Sequence, residues 1–211
     1  SEMCIRDRYY VSPRDRRCVR RNLRNILPRE RWRNMESFVK DVFRNFGKYL
    51  VEFFRMANEI DRDFIEKKVR VFNLERLEQT RARGKGTILL TGHLGNWEMG
   101  AVIVSMLGYP SMAVALPHRD RPVNNLFNAQ REAKGITVLP LVSAFRKCLE
   151  ALKANKIIAL VADRDFTANG QILDFLGRPT MLPRGPAIMS IKTGAAIVPL
   201  FLLRNRDDTF S

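Results

Sequence analysis

The stretch TILLTGHLGNWE, Thr87 to Glu98, decides the fold. Its first five residues are apolar or β-branched, the composition of a buried strand. Gly92 and Gly95 then permit close backbone approach and unusual dihedrals, and Asn96 is a suitable N-cap for a helix that follows. The stretch therefore reads as a strand, a tight loop and the first turn of a helix. The same texture recurs downstream. Strand candidates are Thr87–Thr91, Met112–Leu116, Ile136–Leu139, Ile157–Val161 and Ala196–Leu203, with helix candidates at 96–107, 122–134, 143–154 and 186–193. Strands separated by helices of this length predict an α/β fold, a mostly parallel sheet flanked by helices. Pro186 suits the first turn of its helix and Gly194 its stop. Residues 166–185 hold glycines and prolines among apolar residues, which reads as a structured loop or a hairpin.

Upstream the periodicity changes. Val39, Val42, Phe43, Phe46, Tyr49, Leu50, Phe53, Phe54 and Ala57 recur at steps of three and one, the stripe of an amphipathic helix over 35–57. Such a helix packs on a core or lies on a membrane surface, and the pattern leaves both open. A second helix is expected over roughly 60–80. Residues 12–34 read as a solvated, Arg-rich lead-in with one short helix. Ser1–Tyr10 fits no element and reads as a remnant of cloning or sequence assembly. The expected organisation is thus a lead-in at 1–34 and one domain at 35–211, helical to residue 85 and α/β from 86 onward.

The chain has 211 residues, with 37 Lys+Arg against 22 Asp+Glu and a net charge of +15. Residues 1–34 alone carry 11 Arg and 4 acids. A basic balance of this size implies an anionic partner, whether nucleic acid, anionic lipid or a phosphorylated substrate. The three cysteines, Cys4, Cys18 and Cys148, are too few and too scattered for a disulfide framework or a zinc site. No apolar run is long enough to cross a membrane as a helix, and the start lacks the apolar stretch of a signal peptide.

The chemistry concentrates where strands are expected to end, the edge at which open α/β sheets gather ligands. His93 follows the first strand. Glu98, five residues on, falls in the first helical turn, from which it can reach back to His93, fix its tautomer and favour the imidazolium. The competing reading is a capping histidine beside a glutamate placed for the helix dipole. His118, Arg119 and Arg121 follow the second strand, with Arg131 on the next helix; Asp163, Arg164 and Asp165 follow the strand at 157–161. Arginines there suit bidentate capture of phosphate or carboxylate. A metal-assisted hydrolase built on His93, Asp163 and Asp165 is an alternative, as is a basic nucleic-acid-binding module using residues 12–34. No Gly-x-Ser-x-Gly elbow is present, and Gly84-Lys85-Gly86 is too short for a phosphate loop.

These blocks resemble a known family. GHLGNWE (92–98) is similar to the His-x4-Asp/Glu block of the glycerolipid and lysophospholipid acyltransferase superfamily. More narrowly it resembles the lipid A biosynthesis (lauroyl/myristoyl) acyltransferases and the related phosphatidylinositol mannoside acyltransferase. The likeness continues through RPVNN (121–125), Arg131, ADRDF (162–166), FLGRPTMLPRGPA (175–187) and TGAAIVPLFLLR (193–204). It implies transfer of a fatty acyl chain from a thioester of acyl carrier protein or coenzyme A to a hydroxyl of a membrane glycolipid such as a lipid A precursor. His93 would be the general base and Glu98 its orienting partner, with no metal and no cofactor. Asn96, Arg121, Arg131, Asp163 and Arg164 would bind substrate, and backbone N–H groups near Gly95 and Asn96 would stabilise the oxyanion. The resemblance further implies the cytoplasmic face of the cell inner membrane, contact with anionic lipid through the 35–57 helix, and no nucleic-acid partner. Family members usually carry an N-terminal apolar segment and continue past the last strand, so a truncated chain is expected.

Overall fold

The computed structural model describes residues 9–211; Cys4 and the rest of Ser1–Arg8 lie outside the described residues. The described chain forms two compact units. The first comprises residues 9–54 with 174–179, the second 55–173 with 180–211. The division falls inside the long amphipathic helix, between Phe54 and Arg55.

In the first unit, α1 (Pro13–Ile26) leads through a 3-10 turn (Arg29–Asn34) into α2 (Met35–Glu59). The Arg-rich lead-in is more ordered than its composition suggests. Val19, Leu23 and Leu27 pack against a buried cluster of Tyr9, Met35, Val39 and Phe43. Tyr9 Oη donates to Glu36 at 2.6 Å, and the same carboxylate pairs with Arg20 at 2.6 Å. Along α2 the periodic stripe divides: Val39 and Phe43 are buried, while Val42, Phe46 and Phe54 are exposed.

After the last turns of α2 the second unit carries two short helices, α3 (Arg62–Lys68) and α4 (Leu74–Ala82), where a single helix is expected from the pattern. Tertiary pairing overrides the helical pattern between them. Val69 forms a bridge with Phe210, Arg70 N–H donates to the Phe210 carbonyl and Phe210 N–H to that of Lys68. Asn73 then turns the chain with φ 56°.

The α/β core follows as β1 (Thr87–Thr91), α5 (Trp97–Met106), β2 (Ser111–Ala115), α6 (Arg121–Glu132), β3 (Thr137–Pro140), α7 (Leu141–Lys153) and β4 (Ile157–Val161). A hairpin of β5 (Gln171–Asp174) and β6 (Pro179–Leu182) interrupts it before α8 (Gly185–Thr193) and β7 (Ala196–Pro199). Five strands form one all-parallel sheet in the order β3-β2-β4-β1-β7. Both faces are covered, as a parallel sheet requires. On one face Leu89 and Ile157 meet Leu77 of α4 and Val104 of α5. On the other, Ile88, Ile158 and Leu160 meet Ala144, Cys148 and Leu152 of α7 and Met189 of α8. Burial pushes the Cys148 thiol up to about 11, so it stays protonated at neutral pH. β7 is shorter than its apolar run: it ends at Pro199, and the chain returns as the isolated bridge Gly95–Leu202.

That bridge brings the Leu202 backbone hard against Gly95. Gly95 sits at φ +68°, and a Cβ there would lie 2.0 Å from the Leu202 carbonyl oxygen. Neither the dihedral nor the space admits a side chain. Gly95→Ala is expected to unfold or displace the loop at 92–96, seen as a lower thermal midpoint and loss of hydrogen-exchange protection at the Asn96 amide.

Candidate active site

The register of β1 against β4 builds the site. Thr91 pairs with Val161, so the residues two positions beyond each strand end, His93 and Asp163, emerge side by side. His93 Nδ1 lies 2.7 Å from Asp163 Oδ1, and the His93 backbone N–H donates to Asp163 Oδ2 at 2.9 Å. One carboxylate thus holds both the ring and the main chain of the histidine. Burial alone would raise the Asp163 carboxyl, but the hydrogen bonds from the His93 ring and amide outweigh it and hold it below the ordinary carboxylate value. An ionised carboxylate only accepts, which assigns the proton to Nδ1 and leaves the lone pair on Nε2. The Trp97 indole packs edge-on against the imidazole, 4.7 Å between centroids.

Glu98, which spacing pointed at His93, is engaged elsewhere. Its Oε2 accepts from Arg131 Nε at 2.9 Å and its Oε1 from Nη2 at 2.6 Å. Both side chains are nearly buried. The pair ties the first turn of α5 to the last turn of α6, and Arg131 also stacks on Phe127. Both residues line the same cavity as His93, but the carboxylate on the imidazole belongs to Asp163. A reach back from the first helical turn is what the His-x4-Glu spacing suggests; the register of two strands 70 residues apart decides otherwise.

The other expected site residues fall as follows. Asn96 is a buried N-cap whose Oδ1 accepts from Met99 N–H at 3.0 Å. Its own N–H donates to the Leu202 carbonyl at 2.9 Å, so it does not face a reacting oxygen. Arg121 opens α6, exposed and outside the cavity lining. Arg164 lines the cavity and stacks on the Phe166 ring at 5.0 Å. His118 lies against Phe127 with the rings tilted by 44°, and its amide is held by Asn124 Oδ1. Asp165, the third ligand in the alternative metal-hydrolase reading, is spent on its own loop. Its Oδ1 accepts from Thr167 N–H and Oγ1, and its Oδ2 from Gly170 N–H. Among the described residues no three His, Cys, Asp or Glu side chains group as a metal site.

Beneath His93 lies a cavity of about 460 Å³, mostly apolar, reaching from Trp97 and Ala101 on α5 to Leu141 on α7 and Met189 on α8. Arg184, its Nε donating to the Asn169 carbonyl at 2.9 Å, lines it beside Arg164. Neither the cavity nor Arg184 was read from the sequence. Trp97 was visible there only as a neighbour of the motif.

The sequence pattern of the bacterial lipid A biosynthesis acyltransferases matches residues 8–211. The chain belongs to that family. A phosphatidylinositol mannoside acyltransferase of Mycolicibacterium smegmatis is 30% identical over 186 residues, 86% of this chain and 61% of that one. The Mycobacterium tuberculosis protein of the same name is 30% identical over 197 residues, 91% of this chain and 62% of its own length. A lipid A biosynthesis acyltransferase of Haemophilus influenzae is 25% identical over 138 residues, 65% and 43% of the respective chains. The chain therefore spans about three fifths of the mycobacterial relatives.

Two variants separate the two carboxylates. Glu98→Ala removes both carboxylate contacts of the nearly buried Arg131 guanidinium, at a cost of about 3–5 kcal/mol, or roughly 10 °C in thermal midpoint. Asp163→Asn is expected to melt much closer to wild type at neutral pH. Because folding lowers the Asp163 pKa, its contribution is full above the unfolded value of 3.8 and is lost as pH falls below it. Acid titration of stability should accordingly show a shallower loss below pH 3.8 in Asp163→Asn than in wild type.

Proposed function

We propose that this chain carries the catalytic centre of an O-acyltransferase that moves a fatty acyl chain from a thioester to a hydroxyl of a membrane glycolipid. The observation that carries the reading is the His93–Asp163 pair set at an apolar cavity. In this mechanism His93 Nε2 accepts the proton of the acceptor hydroxyl as its oxygen attacks the thioester carbonyl. Asp163 keeps the ring in the competent tautomer and stabilises the imidazolium. Collapse of the tetrahedral intermediate breaks the C–S bond, and the imidazolium returns its proton to the departing thiolate. No acyl-enzyme is formed, and the step calls for no serine or cysteine nucleophile. Asp163 here takes the orienting part that spacing gave to Glu98, while the Glu98–Arg131 pair holds α5 in place. Arg164 and Arg184 supply positive charge for a phosphate on donor or acceptor.

The acyl donor is a thioester of acyl carrier protein or coenzyme A, and the acceptor is a glycolipid of the lipid A precursor or phosphatidylinositol mannoside type. Those substrates place the enzyme at a membrane, on the cytoplasmic face of the inner membrane for the lipid A type. No helix among the described residues is long and apolar enough to cross a bilayer. In this reading the exposed Val42, Phe46 and Phe54 of α2 meet lipid, and the exposed Arg14, Arg17, Arg21 and Arg24 of α1 add positive charge to the same unit.

Transfer from acyl carrier protein and coenzyme A thioesters to glycolipid acceptors should fall about 10²–10⁴-fold in His93→Ala and in Asp163→Asn. Full transfer by His93→Ala would sink the mechanism. In sedimentation with vesicles, the chain is expected to bind anionic more than zwitterionic lipid, and Phe46→Ser to weaken that binding. Salt-sensitive binding to duplex DNA without vesicle binding would favour the nucleic-acid reading instead.

A further inference from the structure

The loop that carries Asp163 continues into the β5–β6 hairpin, which stands apart from the five-stranded sheet. Its feet are tied down. Before β5, Asp165 accepts from the amides of Thr167 and Gly170, and after β6, Arg184 donates to the Asn169 carbonyl. Between them every residue from Gln171 to Pro179 is exposed, Ile172, Leu173, Phe175 and Leu176 among them. Successive side chains of a strand point to opposite faces, so Ile172 and Leu173 put an exposed apolar group on each face of the ribbon. A two-stranded ribbon gains little stability in water by itself.

The turn shows what this exposure serves. Phe175 and Arg178 exchange both backbone hydrogen bonds, at 2.9 and 3.2 Å, around a two-residue loop. Leu176 and Gly177 both have positive φ, 57° and 73°, the mark of a type I′ turn. The first of those positions favours Asn, Asp or Gly, which accept the left-handed region most readily. Here it carries a leucine that is 62% exposed. Local turn chemistry is set aside to keep an apolar side chain at the apex. The two acids of this stretch, Asp165 and Asp174, are turned onto the backbone amides of Gly170 and Gly177. Its three arginines, Arg164, Arg178 and Arg184, are exposed. Residues 174–179 also belong to the same compact unit as the exposed Val42, Phe46 and Phe54 of α2. An apolar apex flanked by arginines is the composition of a segment that dips into a bilayer interface.

We infer that the β5–β6 hairpin is a lipid-inserting element, which places Phe175 and Leu176 among the acyl chains of an anionic bilayer with Arg178 at the level of the phosphates. The inference rests on the acyltransferase reading for what the bilayer holds, the glycolipid acceptor. It adds the segment that meets that bilayer, on the same loop that carries Asp163.

The test is Leu176→Asn. It installs the Asn-Gly pair that a type I′ turn prefers and removes the apolar apex, so the thermal midpoint is expected to hold or rise while lipid binding falls. Sedimentation with vesicles of phosphatidylglycerol and phosphatidylethanolamine should show binding at least about tenfold weaker than wild type. Transfer to an acceptor embedded in those vesicles should fall with it, and transfer to a short-chain acceptor dissolved in water should not. Vesicle binding unchanged in Leu176→Asn, no vesicle binding by wild type, an equal fall of transfer to both acceptors, or loss of self-association in place of lipid binding would overturn the assignment. Vesicle binding that weakens in Leu176→Asn, without transfer from any thioester by wild type, would uphold the lipid contact and overturn the reaction proposed above.

Discussion

The alignment of β1 with β4 is the constraint on which the site depends. Five consecutive pairs, from Thr87 with Ile157 to Thr91 with Val161, fix two strands whose last residues reach the same level. A slip of one residue would turn every inward side chain to the other face, and would carry Asp163 away from His93. Burial on both faces enforces the register, because Ile88, Leu89, Ile157 and Ile158 are all nearly inaccessible. The chemistry is thus secured by packing well below the surface where it occurs.

Two acidic residues near His93 divide two tasks between them. Asp163 retains partial exposure and accepts from both the ring and the main-chain amide of the histidine. Glu98 is nearly buried and matched in bidentate fashion by a guanidinium. A buried carboxylate so fully satisfied is poorly placed to respond to a proton moving on a neighbouring ring, since any displacement would uncover a charge in a low-dielectric setting. It is well placed to fix the angle at which α5 leaves the loop, and with it the position of Trp97 against the imidazole.

Much of the fold was legible because its signals are local. The strands at 87–91 and 157–161, the cap at Asn96, Pro186 in the first turn of α8 and Gly194 at its end all follow from short-range preference. The misreadings share one cause, pairing between residues distant in sequence. The break at Val69 is imposed by Phe210, the end of β7 by Pro199 and the bridge at Leu202, and the order of the Arg-rich helix by burial of Val19 and Leu23 against Tyr9 and Phe43. The site divides in the same way. His93 was visible at a strand-to-helix turn. Its partner was not, because helical spacing nominates Glu98 while only the sheet register nominates Asp163. The cavity lining includes small residues such as Ala101, Ala113 and Ala159, which carry no periodic signal.

The separation of those partners along the chain also bears on how the protein is made. His93 leaves the ribosome 70 residues before Asp163, and Gly95 more than a hundred before the Leu202 carbonyl that closes over it. At about 5–20 residues per second, the first gap alone lasts several seconds. During that interval β1 is an apolar strand without either of its sheet neighbours, β4 and β7, a hazardous state for a nascent chain. The centre therefore completes itself only near the end of synthesis of this segment, and β1 is where a chaperone would find the emerging chain most in need of cover.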